Sequence, residues 1–310
     1  MTRDELKGMR IGVLMGGRSA ERDVSLSTGR SVAEALREKG YSVVEMDAGG
    51  DIPYLLAQEG VGAVFVALHG RFGEDGTVQG LLESLRIPYT GSGVLASALG
   101  MDKVRSRWIF QHLGIPVPEY RVVYVEEAAG FSLERDRLSL PIVVKPAREG
   151  SSVGVSIVRD HEELPSALDK AFSFGSQVLA ERYIRGREIQ VGILDNEALG
   201  AIEIRPKLEF YDYRAKYTEG LAEHIFPAPL RSDLYEEGLR LALAAHKALG
   251  CEGATRVDLL LEEETRFYVL EVNTLPGMTP VSLLPEIARG VGISFPDLCE
   301  RILTGARLKA

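Results

Sequence analysis

Residues 253–277, GATRVDLLLEEETRFYVLEVNTLPG, constrain the fold more tightly than any other stretch of the chain. Two runs of strand-forming residues, 257–261 and 266–273, flank a short charged turn, the pattern of a β-hairpin. Glu271 and Asn273 alternate with apolar residues, and a bare carboxylate in such a strand is costly unless something pairs with it. A loop of even length, 262–265, would pair Leu261 with Arg266 and set Arg256 opposite Glu271. Strand side chains alternate faces, so Arg256, Asp258, Glu271 and Asn273 would then share one side. An odd loop would split the acids between faces. Three oxygen ligands and a guanidinium on one face favour a Mg²⁺ and phosphate site over a merely solvated polar surface.

Upstream, apolar runs and helical spacing alternate. Strands are expected at 10–15, 41–46 and 63–68, with helices at 24–39 and 76–85, which implies a parallel sheet with helices packed on it. Residues 87–93 read as strand and loop, and 94–113 as one continuous helix. From Pro118 the pattern becomes a smaller α+β unit, with strands at 120–125, 142–145, 153–158 and 177–183 and a helix over 162–174. Longer strands follow at 188–194 and 199–205, then a Tyr-rich stretch at 210–217, a helix over 232–249, the hairpin, and a helix over 295–303. The expected organisation is α/β and α+β in three units: a parallel-sheet, Rossmann-like unit at 1–98, a small central unit at 99–184 and a larger one at 185–310. Residues 1–8 carry no assigned role and are expected to fray.

The net charge of −9 over 310 residues argues against a general nucleic-acid surface, while leaving room for a local basic pocket. Two cysteines, Cys251 and Cys299, without C-x-x-C spacing suggest a reducing cytosolic compartment. No apolar run reaches membrane-spanning length, and the start lacks a signal-peptide core.

Several smaller constellations carry chemistry. Gly16-Gly17 before a helix offers backbone N–H groups to an anion, but it is not G-x-G-x-x-G. Asp47 ends the second strand where a ribose-binding acid would lie, without the glycines that reading needs. Glu21, near the helix start, either binds an ammonium or complements the helix dipole. His69 ends a buried parallel strand, the side on which ligand crevices open. Lys145 closes an apolar run and is followed by the small-residue loop Gly150-Ser151-Ser152-Val153-Gly154, suited to phosphate oxygens although not a Walker A motif. A strand at 178–184 that loosens into a linker offers donors and acceptors to a purine edge.

This order resembles the ATP-grasp fold: Lys at a strand end, a Gly/Ser loop, a hinge strand with Glu, then Asp and Glu-x-Asn on a hairpin. With Ala67-Leu-His-Gly70, Gly73-Glu-Asp-Gly-Thr77, Tyr89-Thr-Gly-Ser-Gly93, Met101-Asp-Lys103, Tyr211-Asp-Tyr213 and Asn273-Thr-Leu-Pro-Gly-Met-Thr279, it is similar to the D-alanine–D-alanine ligase family over residues 9–303. The resemblance implies that Lys103, Lys145, Ser151, Ser152 and Val153 hold ATP phosphates and that Lys216 reaches the γ-phosphate. It implies that Glu181, Arg182, Tyr183, Ile184 and Glu188 line the adenosine pocket. Asp258, Glu271 and Asn273 would bind two Mg²⁺, for which Mn²⁺ can substitute. Glu21 would bind the first D-alanine, hydrogen-bonded with Ser151 and Tyr217, and His69 would help orient it. Ser282 and Leu283 would contact the second D-alanine, and Arg256 with the Gly277 N–H would stabilise the oxyanion. Two D-alanines per turnover, a homodimer, a bacterial cytoplasmic setting and no nucleic-acid or membrane partner complete the expectation.

Three other readings compete. A different ATP-grasp ligase would not require Arg256, Ser282 and Tyr217. A nicotinamide-dependent oxidoreductase is suggested by the N-terminal alternation but lacks its glycine fingerprint. A non-catalytic ATP-binding module should have lost a metal carboxylate, and all are present.

Overall fold

A computed structural model describes residues 1–206 and 222–309. The first residues form helix α1 (Arg3–Lys7) rather than fraying. Thr2 accepts from the Glu5 N–H, and Glu5 accepts from the Thr2 N–H, a reciprocal cap. Leu6 is fully buried, and the Met1 ammonium donates to the Thr304 carbonyl at 2.8 Å. Strand β1 (Arg10–Met15), helix α2 (Arg22–Glu38), strand β2 (Ser42–Asp47), helix α3 (Ile52–Glu59) and strand β3 (Ala63–Val66) then build a parallel sheet of order β2-β1-β3. Helix α3 has no counterpart in the expected pattern; Asp51 caps it, accepting from the Tyr54 N–H at 3.1 Å.

Helix α4 (Thr77–Ser84) is followed by isolated bridges of Tyr89 to Val64 and to Arg307 rather than by the strand-and-loop expected over 87–93. The helix expected over 94–113 is two, α5 (Val94–Met101) and α6 (Lys103–His112). Asp102 leaves helical geometry between them, and its side chain accepts from the Val104 and Arg105 N–H groups. Strands β4 (Tyr120–Tyr124), β5 (Ile142–Pro146) and β6 (Ser156–Val158), helix α7 (Leu164–Phe172) and strand β7 (Gln177–Arg182) form an antiparallel sheet of order β4-β7-β5-β6.

The third sheet comprises β8 (Gly186–Leu194), β9 (Glu197–Pro206), β10 (Ala222–Ile225), and, after helix α8 (Ser232–Ala248), strands β11 (Ala254–Glu262) and β12 (Arg266–Asn273). Its order is β10-β9-β8-β11-β12, with β12 on an edge. One face, with Val191, Val257, Leu259, Phe267 and Val269, packs on α8 residues Leu241, Ala242 and Ala245. The opposite face carries Gln190, Asp258 and Glu271 and receives helix α9 (Leu283–Gly290), absent from the sequence expectation, over Gly192, where a Cβ would lie 2.9 Å from Leu284 Cδ1. Helix α10 (Phe295–Thr304) returns to the first sheet, so Leu298 and Ile302 share a core with Leu6, Val32 and Phe65.

The hairpin register departs from expectation. Glu262 pairs with Arg266, leaving the odd loop Glu263-Glu264-Thr265, in which both glutamates have positive φ. A β-bulge corrects the phase: Leu259 pairs with Val269 but Asp258 with Glu271, so Leu270 is the extra residue. Arg256 consequently faces Asn273, not Glu271, and the four polar residues regain a common face. Among the described residues no helix is long and apolar enough to cross a membrane. Cys251 and Cys299 are buried and unpaired, and burial pushes both thiols up.

Candidate active site

The central sheet and the bulged hairpin enclose a cleft of about 400 Å³, lined by Lys103, Lys145, Ser152, Val153, Glu181–Ile184, Glu188, Asp258 and Glu271. That volume lies within the range of small-molecule sites. On the hairpin wall, Arg256 holds Asp258 bidentately, Nε to Oδ1 at 2.7 Å and Nη2 to Oδ2 at 2.9 Å. Glu271 Oε2 stands 3.3 Å from Lys103 Nζ, and Asn273 Oδ1 accepts from the Leu275 N–H at 3.0 Å. Two opposed carboxylates and a neighbouring amide oxygen are hard donors suited to Mg²⁺, which takes few protein ligands and keeps waters or phosphate oxygens.

Lys103 opens α6 and also donates to the Glu149 carbonyl at 2.6 Å, tying the small-residue loop to the hairpin wall that carries Glu271. Lys145 is the penultimate residue of β5 and is ion-paired with Glu181, whose other oxygen accepts from Arg107 Nη2 at 3.0 Å. Burial holds the Lys145 ammonium below the ordinary lysine range against the pull of Glu181. For Glu181, burial pushes upward, but Lys145 and Arg107 outweigh it and the carboxyl stays below its usual range. Glu181 is thus a charged, clamped floor of the cleft. Arg182 lines the cleft, and its guanidinium is held by Glu262, at 2.8 and 3.1 Å, and by the Tyr268 hydroxyl.

Ser151 and Ser152 both adopt left-handed φ, 51° and 58°, and Ser151 Oγ donates to Glu21 Oε1. Glu21 precedes α2, so this bond joins the parallel-sheet unit to the loop over the cleft. Gly70 (φ +72°) lies against the same carboxylate: a Cβ there would stand 2.8 Å from Glu21 Oε2. His69 is buried beside them, Nε2 3.1 Å from Thr28 Oγ1 and Nδ1 3.9 Å from Glu74 Oε1. Ser282 stands at the N-cap position of α9 without a side-chain cap bond; its Oγ instead accepts from the Thr279 N–H at 3.1 Å, and a Cβ on Gly277 would come within 3.0 Å of it. Leu283, beginning α9, packs beside Ile202, Ile204 and Ile287. Lys216, Tyr217, Tyr211 and Tyr213 lie outside the described residues.

The expected anion site at Gly16-Gly17 is closed by the protein itself. The Gly16 N–H donates to Ser25 Oγ at 2.9 Å and the Gly17 N–H to Asp47 Oδ1 at 3.4 Å, while Arg22 pairs with Asp47. Arg107 escaped sequence reasoning. Its signal was the four-residue spacing from Lys103, which places both cations on one face of a helix.

Comparison with known proteins accounts for this arrangement. Residues 109–304 match the family model "D-ala D-ala ligase C-terminus", and residues 52–92 match "D-ala D-ala ligase N-terminus". The D-alanine--D-alanine ligase of Geobacter sulfurreducens is 57% identical over 310 residues, covering 100% of this chain and 98% of its own. That of Geotalea uraniireducens is 56% identical over 309 residues, covering 100% and 99%. Among solved structures, the Bacillus anthracis D-alanine--D-alanine ligase complexed with ATP superposes with a TM-score of 0.85 at 39% identity, over 96% of this chain and 97% of that one. By sequence over its whole length and by fold, the chain belongs to the D-alanine–D-alanine ligase family, whose ATP-grasp architecture it has.

Proposed function

We propose that the chain joins two D-alanine molecules to D-alanyl-D-alanine at the expense of ATP, releasing ADP and phosphate and supplying the dipeptide for peptidoglycan. The observation that carries this reading is the convergence of two buried lysines, Lys103 and Lys145, with the opposed pair Asp258 and Glu271 on one cleft. Lys103, Lys145 and the Ser151-Ser152-Val153 backbone would bind the phosphates. Glu181, Tyr183, Ile184 and Glu188, with the backbone of Arg182, would receive the adenosine, and Lys216 the γ-phosphate.

Glu21, oriented by Ser151 and joined by Tyr217, would hold the first D-alanine ammonium, and His69 would steady its surroundings. The substrate carboxylate oxygen then attacks the γ-phosphorus, and the bond to the ADP oxygen breaks, leaving an acyl phosphate. The amine of the second D-alanine, placed by Ser282 and Leu283, attacks the acyl carbon. Arg256 and the Gly277 N–H receive the developing oxyanion, the amine loses its proton, and the C–O bond to phosphate breaks. Two Mg²⁺ held by Asp258, Glu271 and Asn273, or Mn²⁺ in their place, would supply charge neutralisation of the transferred phosphoryl oxygens. A homodimer in the bacterial cytoplasm completes the proposal.

The test is phosphate release with ATP, Mg²⁺ and, in turn, D-alanine, D-serine, D-lactate and L-amino acids. Absence of turnover with D-alanine alone would sink it. Glu271→Gln should lose turnover by about 100-fold or more, the scale of one lost transition-state charge contact, while unfolding as cooperatively as the parent chain. Retention of most activity would refute the metal assignment.

A further inference from the structure

Helix α6 carries one buried arginine, Arg107, that the reaction scheme above does not use. Arg107 is 1% exposed, and its guanidinium spans two different parts of the molecule. Nη2 donates to Glu181 Oε2 at 3.0 Å on β7 of the central sheet, and Nη1 donates to the Val269 carbonyl on β12. Strand β12 is an edge, and the Val269 N–H also points outward, to the Pro116 carbonyl at 2.8 Å. Val269 is the last residue in the hairpin's starting register; the bulged Leu270 and then Glu271 follow directly. Fixing its carbonyl fixes the point at which the register changes and the metal-facing carboxylate emerges.

Stability alone gives a weak account of this arginine. Burying a guanidinium is costly, an apolar residue of similar volume often serves as well, and Nε finds no partner among the described residues. What an apolar residue or a lysine cannot do is hold two acceptors in fixed relation through one planar fork. Lys103 lies one turn earlier, reaching Glu271 from the same helix.

We propose that Arg107 is a positioning residue for nucleotide use, locking the Glu181 carboxylate and the bulge that presents Glu271 into one rigid relation across the cleft. The inference rests on the ligase reading, in which Glu181 faces the adenosine.

The test uses the full chain with Arg107→Met and Arg107→Lys. Steady-state ADP release is measured with ATP varied at saturating D-alanine and then the reverse, and ATP binding is measured by calorimetry without metal. Arg107→Met should raise the KM for ATP at least tenfold and weaken calorimetric binding in step, with the KM for D-alanine unchanged within twofold. Arg107→Lys, able to hold either acceptor but not both, should recover part of the loss. Unchanged ATP KM and affinity in the folded variants, with only a lowered Tm, would overturn the inference; if Arg107→Met does not fold, the lysine variant alone decides it. Failure of the parent chain to release ADP with D-alanine would overturn the ligase reading and this inference together, whereas an active parent with nucleotide-insensitive variants overturns this inference alone.

Discussion

Replacing Ser151 by alanine tests the link between the parallel-sheet unit, proposed to hold D-alanine, and the loop proposed to hold ATP phosphates. The deleted contact is a hydroxyl-to-carboxylate hydrogen bond, Ser151 Oγ to Glu21 Oε1, between half-buried side chains. Hydrogen bonds to charged groups contribute about 1.5–3 kcal/mol net, and partial exposure places this one near the lower end. About 1.5 kcal/mol corresponds to roughly tenfold in an equilibrium or rate, since 1.36 kcal/mol is one decade. We expect Ser151→Ala to lower kcat/KM for D-alanine about tenfold in a coupled ADP-release assay, with a smaller effect on the KM for ATP. Ser151→Gly supplies the control. It also lacks the hydroxyl but accepts the 51° φ without the strain of about 1 kcal/mol that a side chain carries there. Both variants should share the kinetic deficit, and a Ser151→Ala enzyme within twofold of the parent would refute the reasoning.

Other consequences concern stability. Leu6→Ala should destabilise the chain by about 2–5 kcal/mol in chemical denaturation, because the side chain is wholly enclosed in the core between the first sheet and α10; an unchanged midpoint would mean that α1 does not dock. His246 is fully buried, its Nδ1 2.8 Å from Thr255 Oγ1, and burial pushes its pKa down to about 4. A depressed imidazole contributes stability that is present above its ordinary pKa of about 6.5 and lost as pH falls toward 4. The parent chain should therefore lose up to about 1.4 kcal/mol per pH unit through that window, and His246→Leu should flatten the slope; equal slopes for the two proteins between pH 7 and 5 would exclude this histidine as the cause.

Much of the architecture was legible because buried strands announce themselves. The runs at 10–15 and 142–145 are apolar and bounded by glycine or proline, and Lys145 at the end of one is conspicuous. The hairpin was legible as a hairpin, but its register was not. Val269 and Leu270 are both apolar, so nothing in the pattern distinguishes a paired residue from a bulged one, and an odd loop that seemed to forbid the site is compensated nearby. Asp102 hid a helix break because an apolar helical pattern runs on through it, while its capping side chain acts locally. The pairing that closes Gly16-Gly17 escaped because Asp47 comes from the neighbouring strand. Arg107 looked like any basic residue on a helix, since its two acceptors are distant in sequence.

The core beneath the parallel sheet is assembled from both ends of the chain: Leu6, Ile11, Val32 and Phe65 interlock with Met278, Leu284, Leu298 and Ile302. A chimera that exchanges only the first hundred or so residues between two related ligases would cut through this shared interior and mate side chains never selected to fit. Transplants that carry the two C-terminal helices together with the N-terminal sheet keep both halves of that seam from one parent. Recombination between relatives should therefore succeed more often when the crossover points fall in the central antiparallel sheet and the N- and C-terminal segments travel as a pair.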